Sequence, residues 1–122
     1  MELTELSTAD CWHLLHGVAV GRVAIVRGGL PSIVPVNICA QDGSVFFRTG
    51  PGALLEAALA GDVLSVEADD VDVAWHRGWS VVVSGHAEVV ADRPEVPVAA
   101  WARSDAHHVV RINGEVVTGR KL

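Results

Sequence analysis

A chain of 122 residues, half of them apolar and one fifth charged, is the length of one compact domain, and folding at this size removes only ~65% of the unfolded surface from water. A sequence this apolar therefore leaves oily surface outside for a partner subunit to cover. Nine Lys and Arg against 15 Asp and Glu, a net charge of −6, argue against a counterion-releasing nucleic-acid surface and against an anionic membrane. No apolar run approaches the ~18 residues of a spanning helix, and Met1-Glu2-Leu3-Thr4-Glu5 lacks a basic segment, so the chain is expected to be cytoplasmic. Cys11 and Cys39 lie far apart in the sequence and read as small hydrophobes rather than a disulfide. With no repeat or linker, residues 1–122 form a single domain.

In chain order, Ser7-Thr8-Ala9-Asp10 followed by Cys11, Trp12, Leu14, Leu15 and Gly17 predicts a short amphipathic helix, with a hydroxyl cap, an acid in the first turn and a glycine stop. Val20 to Val26 and Ile33 to Cys39 are β-branched runs joined by Gly28-Gly29, a hairpin. Pro31 and Pro35 place the second strand at an edge or a bulge. Gln41-Asp42-Gly43 turns the chain into Val45-Phe46-Phe47. Between Thr49 and Asp62 the period changes, because Ala53, Leu54, Leu55, Ala57, Ala58, Leu59 and Ala60 are helix formers and apolar nearly all round, so this helix should be buried on most faces.

Val63 to Glu67 reads as a strand, and the acids Glu67, Asp69, Asp70 and Asp72 as a solvated loop without the calcium-loop pattern. Trp79 to Val90 alternates, with Val81, Val83, Gly85, Ala87 and Val89 on the core face. At the end, His108 to Ile112 and Glu115 to Thr118 flank Asn113-Gly114, a strong hairpin signal. The result is mainly β: an antiparallel sheet of about seven strands closed into a small barrel, with two or three short helices.

Few constellations suggest chemistry. Arg48-Thr49-Gly50-Pro51-Gly52 before an apolar helix exposes backbone N–H groups that suit a phosphate, or simply turns the chain. Ser84 and His86 share a strand face about 7 Å apart, too far for a ready catalytic pair. Gly78-Trp79-Ser80 lacks the second glycine of a nucleophile elbow. Trp79 is either core or an aromatic surface for a planar ligand. The six histidines show no ligand spacing, so no metal is assigned.

Val20-Gly21-Arg22-Val23-Ala24, Pro35-Val36-Asn37, Phe47 to Gly52, Gly78-Trp79-Ser80-Val81 and Thr118-Gly119-Arg120, in that order, give a chain that resembles the pyridoxamine 5′-phosphate oxidase-like family along nearly its whole length. The resemblance implies a split β-barrel and a homodimer with flavin at the subunit interface. It assigns cofactor contacts to Pro35, Val36, Asn37, Arg48, Thr49, Gly50, Gly52, Ala53, Leu54, Trp79, Ser80 and Arg120. The cofactor implied is FMN, or a deazaflavin, acting on a small-molecule redox substrate, with no side chain assigned as an acid or base. The sequence departs from the family where Ala53, Leu54 and Leu55 replace the usual lysine or arginine–lysine pair after the glycine turn; Arg48, Arg120 or Lys121 are the candidate substitutes. That departure keeps open a cofactor-free, non-catalytic dimer. A haem-binding relative would need His86 or His76 as axial ligand.

Overall fold

The computed structural model describes residues 4–91, 98 and 106–122. Ten elements follow in order: β1 Thr4–Glu5, α1 Thr8–Leu15, β2 Val20–Arg27, β3 Leu30–Gln41, β4 Ser44–Thr49, α2 Ala53–Ala60, β5 Val63–Asp72, β6 Arg77–Val90, β7 His108–Asn113 and β8 Val116–Lys121. Met1, Glu2 and Leu3 lie outside the described residues.

Every strand pairing is antiparallel, and β2-β3-β4-β7-β6-β5 closes back on β2 as a six-stranded barrel, with β8 and the short β1 added alongside β6. This is the expected split β-barrel. Two long strands serve both halves. β3 pairs with β2 over residues 30–37 and with β4 over 38–41. β6 pairs with β5 and β8 over its first part and with β7 over 87–90. Pro31 and Pro35 fall in the stretch of β3 whose only partner among the described residues is β2, where a missing N–H costs no ladder bond.

The core follows the strand alternation. Val23, Ile25, Leu64, Val66, Val81, Val83, Phe47 and Ile112 are buried inside, joined by Cys11 and Leu15 of α1 and by Leu54, Ala57 and Ala58 of α2. Ser7 caps α1 by accepting the Asp10 N–H at 3.1 Å. α2 is less enclosed than its sequence suggests, since Leu59 stays 69% exposed. A second, small cluster of Phe46, Val98 and Val109 lies on the outer side of β4 and β7, with Cys39 and Val90 packed against it. Both cysteines are free.

Two expectations are corrected. β7 and β8 do not form a hairpin around Asn113-Gly114; both run along the same edge of β6, from Ile112 opposite Ala87 to Val116 opposite Ser84. The register shifts by one residue between them, which is a bulge in a nearly continuous strand. Neither Asn113 nor Gly114 has the positive φ that a type I′ turn demands. Gly114 is needed for space: a Cβ there would meet the Gly43 carbonyl and the Trp12 ring. The fourteen-residue β6 takes partners along its length, and that outweighs the local turn signal.

The acidic run is likewise no loop. Glu67, Asp69, Asp70 and Asp72 all lie on β5, which continues to Asp72 in register with Arg77. Glu67 and Asp69 share the outer face and a single cation, Arg22 of β2, which lowers their mutual repulsion enough for strand pairing to persist.

Candidate functional site

The Arg48–Gly52 segment carries the chain from β4 into α2. Alternation on β4 sends Phe47 and Thr49 inward and Arg48 outward. Arg48 Nε donates to the Val98 carbonyl at 2.8 Å, tying the outer cluster to the barrel. Thr49 is buried, and its Oγ1 donates to the Gly50 carbonyl at 3.1 Å. Gly52, at φ 140°, precedes α2 and offers no side chain as a cap. The first N–H groups of a helix have no intrahelical acceptor, so this turn can accept an anion.

Its electrostatics are unusual for that role. Leu54 is 7% exposed and packs in the core, Ala53 and Leu55 are partly buried, and the charged residue in the first turn of α2 is an acid, Glu56. Glu56 is paired at 2.8 Å with Arg27 at the end of β2. Arg27 and Ala53 line one cleft of about 270 Å³ along the side of α2, so a cation stands beside the helix that the turn opens, paired with Glu56. Sequence reasoning missed Arg27 because it comes from another strand, and no local motif marks it.

On β3, Asn37 Nδ2 donates to the Ala19 carbonyl at 3.3 Å, Val36 packs against the core, and Pro35 stays on the exposed side opposite Arg22. At the start of β6, Trp79 faces inward and packs partly against the core, whereas Ser80 faces outward. Ser80 stands between Arg120 of β8 and Asp69 of β5. A cleft of about 260 Å³ lined by Asp69, Val71, Trp79, Ser80, Arg120 and Leu122 opens there.

Next to it, Glu67 and Asp69 each approach Arg22 Nη1 at 3.3 Å. Desolvation, followed by the hydrogen bond and charge of Asp69, pushes the Glu67 carboxyl up to about 7 against the opposing pull of Arg22.

Apart from Pro35, Val36 and Asn37 on β3, the predicted contacts fall into two groups. Thr49 lies opposite His108, beside the pairing of Val109 with Val90, at one end of β6. Trp79, Ser80 and Arg120 lie at the other. A strand of fourteen residues reaches on the order of 45 Å at ~3.3 Å per residue. Along the strand, the two groups stand at opposite ends of β6.

Of the remaining candidates, His86 Nδ1 meets the Glu115 carboxylate at 2.8 and 2.9 Å, and its backbone N–H donates to the same group. These bonds hold Glu115 below the usual carboxylate range, the backbone one most. Ser84 bonds Ser65 at 2.6 Å. His76 sits at φ 51° in the turn before β6. Among the described residues no cluster of three or more His, Cys, Asp or Glu could hold a metal ion, and no helix is long and apolar enough to cross a membrane.

Comparison with known proteins adds to this geometry. The family model described as pyridoxamine 5′-phosphate oxidase matches residues 7–121. The uncharacterized protein Rv0080 of Mycobacterium tuberculosis is 38% identical over 131 aligned positions, covering 99% of this chain and 86% of that protein. The structure of an FAD binding protein from Mycobacterium smegmatis is similar at a TM-score of 0.78 and 36% identity, covering 99% of both chains. An FAD-binding protein from Mesorhizobium loti gives a TM-score of 0.81 at 27% identity, covering 100% of this chain and 99% of that one.

Proposed function

The chain belongs to the pyridoxamine 5′-phosphate oxidase family, and from that premise we propose that it is a flavin-dependent oxidoreductase working as a homodimer. The observation that carries the reading is the turn at Gly50-Pro51-Gly52, which opens an uncapped helix with Thr49 at its base and Arg27 at its side. Such a turn suits a flavin phosphate. FMN is the cofactor proposed, with a deazaflavin as its competitor; two similar structures are of proteins named for FAD.

The homodimer is supported by the separation of the two residue groups along β6, because a second copy can set one chain's phosphate turn against the other's Ser80 and Arg120. Exposed apolar side chains support it too: Val26, Ile33, Val63 and Val116 are each more than half exposed. A bound flavin would supply the electron transfer itself. The residues named here would hold its phosphate, through Thr49, the turn N–H groups and Arg27, and would border its ring through Pro35, Asn37 and Ser80.

A second reading, a dimer without cofactor, is favoured by one observation: Leu54 is committed to the core, and no cation stands in the first turn of α2. Equilibrium titration with FMN, FAD, riboflavin and a deazaflavin, read by absorbance and melting temperature, separates the two. A ligand at ~100 times its dissociation constant adds ~2.7 kcal/mol, roughly a 10 °C shift in a domain this size. Absence of any shift with all four would leave the cofactor-free dimer.

A further inference from the structure

We propose that the cleft between α1 and the ends of β5, β6 and β8 binds a planar aromatic molecule carrying an amino group at one end and a carboxylate at the other. The register builds the site. Trp79 lies directly opposite Asp70 on one side and Lys121 on the other, and directly paired residues share a face. Strands are ~4.8 Å apart, so a carboxylate and an ammonium flank the indole about 10 Å from each other.

All three residues line a cleft of about 870 Å³, within the range of small-molecule sites. Leu6, Leu14 and Leu122 make its apolar wall, and Asp10 and His13 of α1 face the sheet across it. Among the described residues neither Asp70 nor Lys121 has an ion-pair partner. Asp72 is engaged, its Oδ1 accepting the Trp75 N–H at 3.2 Å.

Chemistry selects the ligand. A half-buried indole offers a stacking surface for a flat ring. The charges at its two edges have opposite signs, so a ligand with a single charge satisfies one and leaves the other. Asp10 and Arg77 also line the cleft, one acid and one base more, so the pair that sets the two edges is Asp70 and Lys121, fixed by register on either side of Trp79. This cleft is on the inward face of β6, whereas Ser80 faces outward; the two clefts share Trp79 and Leu122, yet the pairing of Asp70 and Lys121 about the indole goes beyond the flavin reading and does not require it.

The probe is 4-(aminomethyl)benzoate, titrated calorimetrically against the purified protein without added flavin. It should bind at least tenfold more tightly than 4-methylbenzoate or 4-methylbenzylamine, each of which lacks one charge. Asp70→Asn should erase the advantage over 4-methylbenzoate, and Lys121→Gln the advantage over 4-methylbenzylamine. Both side chains are exposed, and the comparison among the three probes needs no variant. No binding of the doubly charged probe at about 10 mM, equal affinity for all three, or an affinity unchanged in both folded variants would overturn the site.

Discussion

The carboxylates of Glu67 and Asp69 converge on one nitrogen, Arg22 Nη1, each at 3.3 Å. Three charged groups from two neighbouring strands thereby form one unit on the outer face of the barrel, with Asp69 directly opposite Ser80 in register.

The first prediction follows from it. The Glu67 carboxyl is raised from 4.5 to about 7, so in this range the folded state binds its proton more tightly than the unfolded chain does. Its contribution to stability is complete below about 4.5 and is lost as pH rises through about 7. Glu67→Gln should leave the melting temperature near pH 4 little changed and raise it near pH 8 relative to the native chain. Melting curves across that interval decide it, and a variant that tracks the native protein at every pH would show that the carboxyl titrates normally.

The second concerns the bulge. A Cβ on Gly85 would collide with the Asn113 carbonyl, which is backbone and moves only if the bulge moves. Gly85→Ala should cost about 3 kcal/mol or more, measured by chemical denaturation. Gly28→Ala is a useful contrast, since nothing lies near its Cβ and its penalty comes from a φ of 55° alone.

The third tests the phosphate turn. Thr49→Val and Arg27→Gln should each weaken FMN binding by roughly tenfold while leaving riboflavin unchanged, because only FMN carries the phosphate. Parallel losses for both ligands would place the phosphate elsewhere.

The fourth separates core from site at the tryptophans and at Leu54. Trp12, packed beside Gly114, should lower stability by ~3–5 kcal/mol when replaced by alanine. Leu54→Lys puts a charge into the core and should lower the melting temperature in the absence of ligand. Trp79→Ala should reduce binding of 4-(aminomethyl)benzoate more than it reduces stability; equal affinity in a folded variant would assign Trp79 to packing alone.

Much of the fold was legible locally. Ser7 and Asp10 announced α1, the glycine pair at 28 and 29 announced the β2–β3 turn with both residues at positive φ, and the alternation from Trp79 to Val90 gave the buried face of β6. Each of these is decided by the residues within a few positions of it. Family motifs in their order supplied the split barrel.

What the residues alone determined, then, is the identity of the strands and their inward faces, because alternation, caps and turn conformations act over short distances. Partnership is a different matter. Asn113-Gly114 reads as a hairpin, yet β6 offers a long unpaired edge, and filling it stabilises more than closing a tight turn would. The acids from Glu67 to Asp72 read as loop until Arg22, 45 and 47 residues away from the first two, arrives beside them. Likewise only folding sets Arg27 against Glu56 of α2 and Arg48 against the Val98 carbonyl, and only register sets Lys121 and Asp70 on either side of Trp79: these are tertiary relations, and register is a property of the closed sheet rather than of any segment within it.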